Sequence, residues 1–225
     1  MKIIDPSATI ELPMSGADIL RHIERCGRIC YKSEGRITEN SADDFVRGII
    51  KRGHEAVLEH ASFSVKFVCD RGVSHELVRH RLASYCQEST RYCNYSKDGF
   101  GNEITVIKPL YLDAHSHGYA IWRRSCATAE TAYFDLLDYG CSPQEARAVL
   151  PNSLKTEVYM TADLREWRHF LSCAQALRPI RKCARLRCWR SSRQKRRCPS
   201  YSMTSRRLDH ETIRNFRGRA PLRLW

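Results

Sequence analysis

The sequence predicts an α+β fold, and three observations carry that prediction. Phe63, Val65 and Phe67 alternate with Ser64 and Lys66, the period-two pattern of a strand with one face in the core. Ile19, Leu20, Ile23, Cys26 and Cys30 recur at helical spacing across residues 17–32. The 225 residues, 42% hydrophobic and 28% charged, suffice for a sizeable core in one ordinary domain, or at most two small ones.

In chain order, residues 3–12 read as a short strand and turn. The helix over 17–32 follows, with Cys26 and Cys30 on its core side. Ser41 is placed to cap a second helix, with Asp43 and Asp44 in its first turn and Phe45, Ile49 and Ile50 on its apolar face. After the strand over 63–67, residues 74–82 read as helical and 84–95 as a polar stretch rich in functional side chains. Residues 105–107 suit a short strand, and 119–139 a long helix stopped by Gly140. Ser142-Pro143-Gln144-Glu145 has the form of a capping box, opening a short helix that Pro151 ends. Residues 153–160 fit strand or helix equally, and 164–171 is helical.

No run of about 18 apolar residues is present, which argues against a spanning helix. Met1-Lys2-Ile3-Ile4-Asp5-Pro6 lacks the apolar core of a signal peptide. Eleven cysteines without such a leader read as free thiols in a reducing, cytoplasmic setting. The net charge of +13 suggests a nucleic-acid or anionic partner, but its distribution does not. Residues 173–225 hold 16 Lys/Arg against Asp209 and Glu211, a net of +14; residues 1–172 hold 22 basic and 23 acidic residues, a net of −1. The body is neutral and the tail carries the excess.

Four groups of side chains could do chemistry. Arg79-His80-Arg81 and the run Ser84 to Tyr92 put three arginines, a histidine, Gln87, Glu88, Ser89 and Thr90 within 14 residues. Arginine forks and hydroxyls bind phosphate or carboxylate, and a cation beside a flavin ring offsets the charge of its reduced form. An exposed, salt-bridged helix end accounts for the same residues about equally well. The second group, His54 to His60, reads most simply as a helix terminus with a buried histidine. The third is Arg147, and the fourth is Asp163 to His169, where Arg165 and His169 share a helix face. Surface ion pairing is the usual explanation of such a pattern. No metal centre is expected: His75 and His80 stand five apart, about 140° round a helix. Cys183, Cys188 and Cys198 form no CxxC pair. No glycine-rich phosphate loop occurs, so a nucleotide must be held by side chains.

Arg79-His80-Arg81 followed after seven residues by Ser89 resembles the signature of the flavin-dependent thymidylate synthases. The resemblance runs from about Ile19 to Ser172 and includes His54–His60, Glu145-Ala146-Arg147, Leu150-Pro151 and Arg165-Glu166-Trp167-Arg168-His169-Phe170. It implies a mixed sheet with helices, and a homotetramer whose FAD sites form between subunits. It also implies reductive methylation of dUMP to dTMP, with methylenetetrahydrofolate as carbon donor and NADPH as reductant. By position, Ala56, Arg79, His80, Arg81, Gln87, Asp163, Leu164, Arg165 and His169 are implied to contact FAD. The implied dUMP contacts are Glu76, Leu77, Val78, Arg79, Gln87, Glu88, Ser89, Thr90, Arg91 and Arg147. Ala56 replaces a usual Ser/Thr, and Asp163 a common Asn that would bring no charge to the flavin.

After Ser172 the resemblance implies Leu-Arg, an arginine acting on the uracil ring; Cys173 and Ala174 stand there instead. A permitted back-translation of residues 173–190, preceded by one C and regrouped, encodes Leu-Arg and then an amphipathic helix. The same shift turns residues 198–205 into Pro-Val-Val-Phe-Asp-Asp-Ile, and Met203 before Thr204 can give only Asp. Residues 1–172 thus read as the domain, and 173–225 as an irregular basic tail, poorly ordered or out of frame. The competing reading is a tail that binds nucleic acid through phosphates.

Overall fold

In the computed structural model, residues 1–180 and 221–222 are described. Strands β1 (Lys2–Ile4) and β2 (Ser7–Glu11) replace the single strand expected near the N-terminus. Helix α1 (Gly16–Ile29) is capped by Ser15, whose hydroxyl accepts from the Asp18 amide. Cys26 is only half-buried and Cys30 is exposed, because Leu20, Ile23 and Gly27 form the inward stripe. Gly27 lets α2 (Ser41–Lys51) approach: a Cβ there would meet the Phe45 ring at 2.6 Å. Ser41 does not cap α2 but is its first residue; its hydroxyl accepts from the Thr38 amide and donates to Glu24 Oε2.

A 3-10 turn (Glu55–His60) leads into β3 (Ser62–Asp70). The turn buries Leu58, while His54 and His60 are exposed, contrary to the buried histidine expected there. Helix α3 (Arg71–Leu77) is shorter than expected at its C-terminal end. The Asp70 carboxylate accepts from the Val73 amide and opens it, and the chain turns at 78–80 into β4 (Ala83–Gln87). Strand β5 (Thr105–Ile107), helix α4 (His117–Asp138) and the capping box at Ser142 match the expectation. The box opens only α5 (Pro143–Ala146) and one 3-10 turn. Strand β6 (Lys155–Asp163) resolves the ambiguity of 153–160. Helix α6 (Leu164–Ile180) runs past Ser172, so the tail begins inside a helix. Cys183, Cys188, Cys198 and most of the basic tail, with the readings placed on them above, lie outside the described residues.

The main sheet has the order β4-β6-β3-β2-β7, where β7 is Pro221–Leu222, and every pairing in it is antiparallel. Among the described residues, parallel pairing is confined to a separate pair, β1 with β5. Register puts Phe63, Val65 and Phe67 opposite Ala162, Met160 and Val158, and all six face the core. Helices α1, α2 and α6 supply most of the rest of that core, with Ala8 and Ile10 of β2, Leu58 and Leu77. Trp167 fixes α6: its ring stacks on Phe63 at 5.0 Å and its indole donates to the Phe63 carbonyl. A second core joins Val106 and Leu154 to Cys126 and Tyr133 of α4. No described helix is long and apolar enough to cross a membrane.

Candidate active site

The C-terminal end of β6, the first turns of α6, the turn at Glu55–His60 and the 79–82 turn enclose a cavity of about 840 Å³. Its volume is that of a cofactor or ligand pocket. Asp163 ends β6 and caps α6, its carboxylate accepting from the Glu166 amide at 2.8 Å. From that start, helical spacing aims Arg165, Glu166, Arg168 and His169 at the cavity, while Trp167 and Phe170 enter the core. Arg165 pairs with Glu59, and Arg168 with Glu55 at 3.1 Å, tying α6 to the 3-10 turn.

The opposite wall is Arg79, His80, Arg81 and Leu82. Tyr85 holds this turn by donating to the Leu77 and His80 carbonyls, at 2.8 and 2.7 Å. Burial, with Glu166 nearby, pushes the Tyr85 phenol up to about 12, so it stays a donor. The His80 ring stands edge-on to Phe170 at 4.8 Å. Arg79 and Arg81 are exposed and make no ion pair among the described residues. The cavity therefore offers two uncompensated cations at its rim, which suit an anionic ligand.

Six residues implied as flavin contacts, Arg79, His80, Arg81, Asp163, Arg165 and His169, line this one cavity. Ala56, Leu164 and Gln87 do not. Ala56 is exposed beside it, and Leu164 is buried in the core. The Gln87 amide is taken by Ser74 and Thr156. Glu55, Glu59, Glu166 and Arg168 also line it without having been singled out, although they lie inside the 54–60 and 163–169 blocks, and Ser172 lines it from one turn further along α6.

Of the remaining nucleotide candidates, Glu88, Ser89, Thr90, Arg91 and Arg147 gather at the other end of β4. Arg147 donates to the Thr90 hydroxyl at 3.3 Å, and the Ser89 hydroxyl accepts from the Arg91 amide. Glu88 accepts from Lys155 at 2.9 Å and from the Tyr95 hydroxyl at 3.4 Å. Burial drives the Lys155 ammonium down, but its bonds to Glu157 and Glu88 outweigh this and the net shift is upward. Burial, with Glu88 adjacent, also raises the Tyr95 phenol. Lys155 and Tyr95 were not legible as site residues, since each looks like an ordinary member of its strand or loop. Glu76 and Val78 are exposed, but Leu77 packs in the core with its carbonyl occupied by Tyr85. Strand β4, five residues or about 17 Å of extended chain, runs between the two clusters.

Comparison with known proteins agrees with this geometry. The family model described as thymidylate synthase complementing protein matches residues 14–200. A flavin-dependent thymidylate synthase of Pyrococcus furiosus is 35% identical over 162 residues, covering 70% of this chain and 66% of that protein. One from Geobacter sulfurreducens is 35% identical over 167 residues, covering 70% of each. The match thus spans about two thirds of these relatives' length. Among solved structures, the UMP/dUMP methylase PolB from Streptomyces cacaoi, bound with 5-Br dUMP, has a TM-score of 0.62 at 21% identity. That alignment covers 76% of this chain and 79% of that one, and it shows a shared fold. The chain belongs to the thymidylate synthase complementing protein family, whose members include the flavin-dependent thymidylate synthases.

Proposed function

We propose that this chain is a flavin-dependent thymidylate synthase, a cytoplasmic enzyme that converts dUMP to dTMP with FAD, NADPH and methylenetetrahydrofolate. The observation that carries this reading is the cavity rimmed by Arg79 and Arg81, two exposed guanidiniums with no ion pair among the described residues. Its volume and cationic rim fit FAD. When bound, the flavin supplies the hydride and mediates the one-carbon transfer. Arg79 and Arg81 hold its anionic parts, Arg165 borders it while tied to Glu59, and Arg79 and His80 offset charge that builds on the ring during reduction. His169 and Asp163 bound the same wall.

Ser89, Thr90, Arg91 and Arg147 take the phosphate of dUMP, and Gln87 and Glu88 its sugar or base side. These groups lie a strand's length from the cavity, so one subunit cannot close both halves of the site on a single nucleotide. A homotetramer with shared sites resolves this: the phosphate end of one subunit meets the flavin cavity of another. Among the described residues, strand β4 is the edge of its sheet, bonded only to β6, which leaves this end open to a partner. In the chain as it stands, Cys173 and Ala174 occupy the place of the uracil-directed arginine, so turnover is weak or absent while binding persists. We propose further that residues 173–225 are out of frame, which explains their charge without a nucleic-acid role.

The test is the ligand content of the full-length protein. It is expected to purify yellow, to release FAD on denaturation, and to show a dUMP-dependent change in the flavin spectrum. Arg81→Ala is expected to weaken FAD binding, and Arg147→Ala dUMP binding alone. A colourless protein that takes up neither added FAD nor dUMP overturns the reading.

A further inference from the structure

One wall of the cavity gathers a different chemistry. Glu166, His169 and Cys173 stand at i, i+3 and i+7 along α6 and so share one face. His80 meets that face from the turn after α3. The donor atoms of His80, Glu166 and His169 all lie within 4.8 Å of one another. His80 Nδ1 is 3.8 Å from Glu166 Oε1, and Cys173 Sγ is 3.5 Å from His169 Nε2. In a tetrahedral site with Zn–N and Zn–S bonds of ordinary length, neighbouring donors stand about 3.3–3.6 Å apart. The Cys173–His169 pair already has that separation, and the His80–Glu166 pair comes within a few tenths of an ångström of it.

We propose that the chain binds one Zn²⁺-like divalent cation between His80, Glu166, His169 and Cys173. Two imidazoles, a carboxylate and a thiolate are the donor set of a borderline-soft cation, and they neutralise its two charges. Glu166 is 6% exposed, and its one ion pair among the described residues is the 3.8 Å approach of His80. It is a buried anion whose compensation a cation would complete. The arginines beside it do not oppose this, because Arg165 and Arg168 are turned to Glu59 and Glu55. The His80 turn is held by the Tyr85 hydroxyl, which fixes the donor that comes from outside α6. Cys173 is also where this chain departs from the resemblance, so the fourth donor is its own. His80 and His169 are the residues proposed above to face FAD, so cation and flavin exclude one another on this wall, and metal binding is read on flavin-free protein.

The experiment uses the full-length chain, stripped of metal with a chelator. Titration with Co²⁺ is followed by absorption, and titration with Zn²⁺ by calorimetry. Cys183, Cys188 and Cys198 could also take up metal, so the readout is the difference between parent and variants. Cys173→Ser is expected to remove one equivalent's sulfur-to-cobalt charge-transfer band. His169→Asn, at an exposed position that leaves folding intact, is expected to weaken Zn²⁺ binding at that equivalent about 10-fold or more. A parent that binds no metal overturns the proposal, as do variants with unchanged stoichiometry, band and affinity.

Discussion

Asp163 has two jobs that a substitution can separate. Its carboxylate caps α6 through the Glu166 amide, and it also lines the cavity. Asparagine caps a helix about as well as aspartate and brings no charge, so Asp163→Asn is expected to hold thermal stability while tightening FAD binding. Asp163→Ala is expected to cost about 1 kcal/mol, the usual loss for an N-cap. Thermal melts and flavin titration of the two variants check this; equal destabilisation by both would show that the negative charge itself carries the cap. At this scale the sequence was a good guide to residue type and a poor guide to partners. The Arg79–Arg81 and Asp163–His169 blocks do meet in one cavity. That Glu59 and Glu55 pair with Arg165 and Arg168, more than 100 residues away, has no local signal.

At the scale of elements, β3 and β6 were read with unequal ease for a physical reason. The buried face of β3 is Phe63, Val65, Phe67 and Cys69, all apolar, so alternation is plain. β6 places Thr156 on that face and Tyr159 on the other, which blurs the period until pairing decides it. The outward face of the pair carries its own interaction: Glu157 is bonded to Lys66 and Lys155, at 2.5 and 2.9 Å. Partial burial pushes the Glu157 carboxyl up, but the two lysines outweigh it and hold it below the usual carboxylate range. A depressed folded pKa means stability that is present above the unfolded value of about 4.3 and is lost as pH falls through the folded one. The melting temperature is therefore expected to fall less steeply below about pH 4.3 in Glu157→Gln than in the parent. Circular-dichroism melts across that range check it, and parallel profiles would show that the Lys66–Glu157–Lys155 bridge adds no net stability.

At the scale of the molecule, the two halves of the proposed site adjoin in sequence and are separated in space. Arg79-His80-Arg81 and Ser89-Thr90-Arg91 belong to one 14-residue block, yet β4 runs between them. The block identified the chemistry; the strand between its two halves is the observation behind the proposal of a site shared between subunits. The charge distribution is the other molecular property, and it bears on activity. Residues 1–172 are nearly neutral, so nothing in the domain calls for the excess of +14 that follows. On the proposal that residues 173–225 are out of frame, restoring the frame after Ser172 would exchange Cys173 and Ala174 for Leu-Arg and replace that excess with an amphipathic segment. The returned arginine would stabilise charge on the uracil ring, an electrostatic contribution worth about 100-fold or more in turnover when a single such group is removed. The frame-restored protein is therefore expected to form dTMP from dUMP, methylenetetrahydrofolate and NADPH at least ~100-fold faster than the chain as it stands. FAD binding should change far less, because the cavity residues up to Ser172 are common to both. Equal turnover by the two proteins would mean that the tail is compatible with catalysis and that another residue acts on the ring. A gain that Arg→Ala at the restored position abolishes, with flavin content unchanged, would locate the defect of the present chain in its reading frame after Ser172.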